Sequence, residues 1–252
     1  MTVKPLPNIK DLINDINNLV SKHRKPTDVE IYQLKKYLDS LKNKISWADY
    51  YDILGQISGL ANNKEEMISF FEKSIRLEPN NYEIHRNHLF CLLNHGLIDL
   101  AINQAKLLND RFSETQDSLS LLSKSYFYLC RFRDALQILD KQQTIDDFIK
   151  SSVAIFDNAK ITDDEAQNLC ELAFSLLKKK RLYFSAITLD IIESCVVYTI
   201  YVDVSIEQLT EINWELAGIF AKGVTNMRSN VLMFEYSSID ILEQDKFYEC
   251  VV

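Results

Sequence analysis

The strongest constraint on the fold of this 252-residue chain is a repeat of 34 residues that starts near residue 48. Leu54, His88 and Leu122 share one phase of it, Met67, Ala101 and Ala135 a second, and Phe71, Ala105 and Leu139 a third. A period of this length marks a supersecondary unit too small to bury its own apolar face, so neighbouring units must stack. Apolar residues inside each unit recur at helical spacing, which predicts two antiparallel helices per unit. Small residues such as Gly55, Ala101 and Ala135 let the helices approach, and large ones such as Tyr51, Phe71 and Tyr126 fill the gaps. The three units in residues 48–144 are the fewest expected to be stable. With 5 Gly and 4 Pro the chain lacks the turn formers of an all-β fold, so helix should dominate.

The first unit reads ADYYDILGQISGLANNKEEMISFFEKSIRLEPN, with Tyr51 at an aromatic position, then Leu54-Gly55, Phe71 and Pro79. In the third unit Leu119, Leu122, Tyr126 and Ala135 fall in the same register. The segment resembles the tetratricopeptide repeat family. The second unit is the weakest match: His85 replaces a large aromatic, His88 a Leu, and Leu89 a small residue. The resemblance implies a mainly α fold, a helical-repeat α-α superhelix. It also implies a concave groove, lined by the first helix of each unit, that holds an extended peptide or a helix of another protein. The matching positions are Asp49, Asp52 and Gln56, then Glu83, Arg86, Phe90 and Asn94, then Asp117, Ser120, Lys124, Phe127 and Tyr128. Arg86, Phe90, Lys124 and Tyr128 form a mixed basic and aromatic set, the residue types most often found as interface anchors. Packing against neighbouring helices is the competing reading for Phe90, Phe127 and Tyr128. One subfamily clamps chaperone C-terminal carboxylates with Lys and Asn side chains. Here Asp52 stands where that clamp needs a Lys, so chaperone-tail binding is not expected.

Residues 1–47 read as a helical pair. Asn8 caps a helix carrying Ile9, Leu12, Ile16 and Leu19, and Thr27 with Glu30 forms a capping box for a second. Residues 145–180 read as further helices, the second opened by the box Thr162/Glu165 and closed by the basic cluster 178–181. From 181 to 252 a small α+β domain is expected. SCVVYTIYVDV (194–204) and NVLMFEY (230–236) carry strand signatures, and a helix capped by Ser205 lies between them and ends at Gly223. Residues 183–192 fit either a third strand or the tail of the preceding helix, and FYECVV at the end fits a short strand.

Charge is uneven along the chain. Residues 1–47 carry +4, residues 48–141 carry −3 and residues 142–252 carry −9, for a total of −8. That balance argues against non-specific nucleic-acid binding, which depends on neutralising phosphates. The acidic C-terminal third reads first as a solvated acidic face, with steering of a basic partner as the alternative. No run approaches a membrane span of about 18 apolar residues, and the N-terminus lacks a signal-peptide core. The five cysteines include no CxxC pair, and Cys91 and Cys130 read as buried thiols of a reducing compartment. A cytoplasmic protein is expected.

No catalytic motif is present: neither GxSxG, HExxH, GxxxxGK[ST] nor GxGxxG. His85 and His88 stand three apart, a spacing that can hold a metal, but a Zn site needs further ligands, so both are assigned to helix packing. Asp163, Asp164 and Glu165 are assigned to the positive end of a helix dipole, and Asp190/Glu193 and Asp203/Glu207 to solvent-facing positions. The expected function is therefore non-enzymatic protein–protein interaction, with no cofactor and no metal. Three alternatives stand beside it. The chain can neutralise one dedicated partner, as an immunity protein does a toxin or a secretion chaperone its cargo. The C-terminal region can be an unrecognised enzyme domain. Homo-oligomers can form through strand edges near 231–236.

Overall fold

The computed structural model describes residues 8–22, 25–112, 116–143, 146–182, 184–223 and 231–241. The chain is mainly helical, with eleven α-helices and a three-stranded sheet near the C-terminus among the described residues. It divides into two compact units, one running to His95 and the other starting at Gly96.

The first unit contains α1 (Ile9–Val20), α2 (Asp28–Leu41), α3 (Trp47–Leu60), α4 (Lys64–Leu77) and α5 (Tyr82–Asn94). Asn8 caps α1, and both halves of the Thr27/Glu30 capping box are made on α2. Leu12, Ile16, Leu34, Leu38, Ile53 and Ile57 from α1, α2 and α3 share one buried cluster. Between α3 and α4 the approach is close. A Cβ on Gly55 would lie 2.9 Å from the Phe71 ring, and the buried Ser74 hydroxyl donates to the Ala48 carbonyl at 2.7 Å.

The second unit contains α6 (Ile98–Phe112), α7 (Gln116–Tyr128), α8 (Phe132–Gln142), α9 (Asp147–Ala159) and α10 (Asp163–Lys180). Strands β1 (Phe184–Ile192) and β2 (Cys195–Val202), helix α11 (Ile206–Gly223) and strand β3 (Leu232–Ser238) follow. Helices α4, α6 and α8 begin at 64, 98 and 132, each 34 residues after the last, so the sequence period is a period of helix pairs. The division at His95 falls inside the second pair.

Segment 183–192, ambiguous in sequence, is a strand except for Tyr183, which lies outside the described residues. It pairs antiparallel with β2 through the two-residue turn Glu193–Ser194, both at positive φ (48° and 69°), the twist a tight hairpin requires. Strand β3 pairs parallel with β2, and α11 makes the crossover that parallel pairing demands. Tyrosine hydroxyls tie the sheet to the helices: Tyr198 donates to the Tyr128 carbonyl at 2.9 Å and Tyr236 to the Ala173 carbonyl at 2.6 Å. The expected terminal strand FYECVV lies outside the described residues.

Candidate functional site

Of the groove positions expected from the sequence, Asp52, Gln56, Arg86, Phe90 and Asn94 lie in the first unit, and Ser120, Lys124, Phe127 and Tyr128 in the second. In the first unit α3 presents Asp52 and Gln56 one turn apart, so their side chains meet; Gln56 Nε2 donates to Asp52 Oδ2 at 2.9 Å. Asn87 of α5 donates its amide to the same oxygen at 2.9 Å and thereby joins the two first helices. Arg86 donates to Asn87 Oδ1 at 3.3 Å and pairs with Glu83 at 2.5 Å. Gln56, Arg86, Asn87, Phe90 and Asn94 are half-buried, whereas Asp52 is only 8% exposed.

This cluster is incompletely satisfied. Asp52 Oδ1 and Arg86 Nε are both buried and neither has a hydrogen-bond partner. Burial raises the Asp52 carboxyl from 3.8 to about 7, against the pull of the Asn87 and Gln56 amides, with Asp49 adding a small upward push. A carboxyl held near neutrality in this way costs folding free energy, and such groups concentrate at functional sites. Asn87 is the member with no signal of its own in the sequence. It sits one residue past the expected groove phase, and only its bond across to α3 marks it.

The second-unit positions split. Ser120 and Lys124 are exposed on α7, one turn apart. Phe127 and Tyr128 are corrections to the expected groove: both are buried, at 5% and 8% exposure. Phe127 packs edge-on against Phe132 and Phe148, with ring centroids 5.6 and 5.3 Å away, and Tyr128 supplies the carbonyl that anchors Tyr198. They follow the packing alternative because α7 is covered by α8 and by the elements after it.

His85 and His88 are both buried on α5. His85 Nε2 donates to the Pro79 carbonyl at 2.9 Å. The His88 ring stacks on Phe71 with centroids 4.8 Å apart, and neither of its nitrogens has a partner. Burial lowers its pKa to about 4, with a smaller push from His85. No group of three or more His, Cys, Asp or Glu side chains with metal-binding geometry occurs among the described residues. Asp190, Glu193, Asp203 and Glu207 are all exposed.

Arg131 and Arg133 form an ionic cluster with the start of α10. Arg131 reaches Asp164 at 2.8 Å and Arg133 reaches Asp163 at 2.9 Å. This cluster closes on itself and is a structural joint. The described helices include none long and apolar enough to cross a membrane. No family model, curated protein or solved structure matches the chain.

Proposed function

We propose that this chain is a tetratricopeptide-like interaction module with no catalytic role, whose first unit holds a peptide or helix of another protein against α3 and α5. The 34-residue spacing of α4, α6 and α8 supports the repeat reading. So does the pairing of Gly55 with Phe71, small against large between the two helices of one repeat. The observation that carries the functional reading is the Asp52–Gln56–Asn87–Arg86 cluster. It bridges two first helices and retains a buried acceptor and a buried donor without partners. Unsatisfied buried polar atoms are costly to keep, and a bound partner offsets that cost. Half-buried Phe90, one turn along α5 from Arg86, joins it as an anchor of the type common at interfaces.

A narrower version is favoured by the charge of −9 in residues 142–252: a dedicated, one-to-one neutraliser of a basic protein, as an immunity protein is for a toxin. A cytoplasmic setting fits both versions, because the four cysteines among the described residues are all free thiols.

The test is a pull-down from the native host lysate comparing the wild-type chain with the Arg86→Ala/Phe90→Ala double variant, whose folding is checked by circular dichroism. The expected result is a partner retained by wild type and lost by the folded variant. A partner held equally by both removes binding from the first unit. The stoichiometry of the complex separates a general adaptor from a neutraliser.

A further inference from the structure

We infer that the Asp52 cluster is a receptor for a cation, the guanidinium or ammonium group of an Arg or Lys side chain on the bound partner. The inference rests on the reading of α3 and α5 as a partner-binding surface, and adds the chemistry of the anchoring group.

Three observations point to a cation. First, the Asp52 carboxyl is nine-tenths buried, yet only Oδ2 has donors; Oδ1 has none. An ionised carboxylate accepts about four hydrogen bonds, so this one has capacity left for a forked or charged donor. Second, the cation that acts on Asp52, Arg86, does so through its field alone. Arg86 gives its terminal nitrogen to Glu83 and to Asn87 Oδ1, and makes no hydrogen bond to Asp52. Glu83, Asp49 and Asp52 set three carboxylates around the one guanidinium, which favours the ionised form of Asp52 without bonding to it. An anionic tail is repelled there, which inverts the polarity of the carboxylate clamp found in one tetratricopeptide subfamily. Third, the cover is movable. Gln56 is half-buried, and its amide can leave Asp52 Oδ2 without breaking any backbone hydrogen bond. An incoming N–H donor then takes its place.

The stability balance agrees. Asparagine at position 52 would accept the same two amides without a buried charge, so the carboxyl is a liability to the free protein. A bound cation turns it into half of an ion pair.

The test uses the 252-residue chain, labelled for NMR, and four probes: the acetylated amides of arginine, lysine, glutamine and glutamate, each at millimolar concentration. The signals followed are the side-chain amides of Gln56 and Asn87 and the Asp52 carboxyl carbon. The expected result is saturable shifts with arginine and lysine only. Asp52→Asn should weaken that response by about tenfold or more, while Glu72→Gln on the exposed face of α4 leaves it unchanged. Equal or larger shifts with glutamine or glutamate, an undiminished response in Asp52→Asn, or silence from all four probes would each overturn the inference. The pull-down is independent of this outcome. A partner released by Arg86→Ala/Phe90→Ala, with all four probes silent, keeps the binding surface and discards the cation.

Discussion

Asp163 grips Arg133 at two points: its Oδ2 accepts the backbone N–H at 3.0 Å and its Oδ1 accepts guanidinium Nη1 at 2.9 Å. Oδ2 also accepts the Asp134 N–H at 3.3 Å. Helix α8 has no side-chain cap of its own at Arg131, so a residue from the start of α10 supplies the missing acceptor. Asp163→Ala should destabilise the second unit by roughly 1–2 kcal/mol, chiefly through the lost cap, because Arg133 keeps Asp157 and the Ile161 carbonyl as partners. Asp163→Asn keeps a neutral acceptor and should cost less. Urea denaturation of the two variants checks the order.

The contact between Gly55 and Phe71 makes a second prediction. Gly55→Ala brings a methyl to 2.9 Å from the ring, and overpacking of this kind costs about 1–3 kcal/mol. Phe71→Leu leaves a cavity and destabilises on its own. Because each change relieves the other, the double variant should lose less than the sum of the singles, as a thermal-unfolding double-mutant cycle will show.

Stability should fall toward acid and also carry a cost toward alkaline pH, for opposite reasons. His88 titrates at about 4 in the folded chain instead of 6.5. The unfolded chain therefore binds a proton first, and stability is lost as pH falls from about 6.5 to 4, by roughly 3 kcal/mol in all. Asp52 titrates at about 7 instead of 3.8. Its folded form holds the proton more tightly, so its cost grows as pH rises from about 4 to 7 and reaches roughly 4 kcal/mol above that. His88→Leu should flatten the acid side, and Asp52→Asn should stabilise the protein at pH 8. Chemical denaturation at pH 5 and pH 8 measures both.

Asn213 of α11 donates to the Tyr236 carbonyl and accepts the Tyr236 N–H, both at 2.9 Å. Its amide thus acts as a short length of strand and occupies the edge of β3 at that residue. An uncovered edge is a template for self-association. Asn213→Ala should increase self-association in analytical ultracentrifugation, and an unchanged sedimentation profile would show that the edge is guarded by other means.

Local signals made much of the fold legible in the sequence. The capping boxes at Thr27/Glu30 and Thr162/Glu165 open α2 and α10 as read, because both partners lie within four residues. The 34-residue period set the helix pairs. What the sequence hid is long-range or unsignalled. Asp163 caps a helix 30 residues upstream, a bond no window reveals. The Glu193–Ser194 turn has two positive φ angles but no Asn-Gly, so nothing locally marked it as a hairpin. The division at His95 is silent because the period runs through it. Repeat phase named Asp52, Gln56 and Arg86 as groove positions, and the structure brings Asp52 and Gln56 into one hydrogen-bonded cluster with Asn87. Phe127 and Tyr128 were misplaced because repeat phase does not say what later elements cover, and Asn87 was missed because its role depends on its partner across the helix interface.

Hydrogen exchange on the chain, alone and saturated with the partner captured by pull-down, reads whether α3 and α5 hold that partner. Binding in the first unit should add protection in Trp47–Leu60 and Tyr82–Asn94, the two helices that carry Asp52 and Arg86. Protection that leaves both helices unchanged and appears instead on α11, around the exposed Trp214, would contradict it.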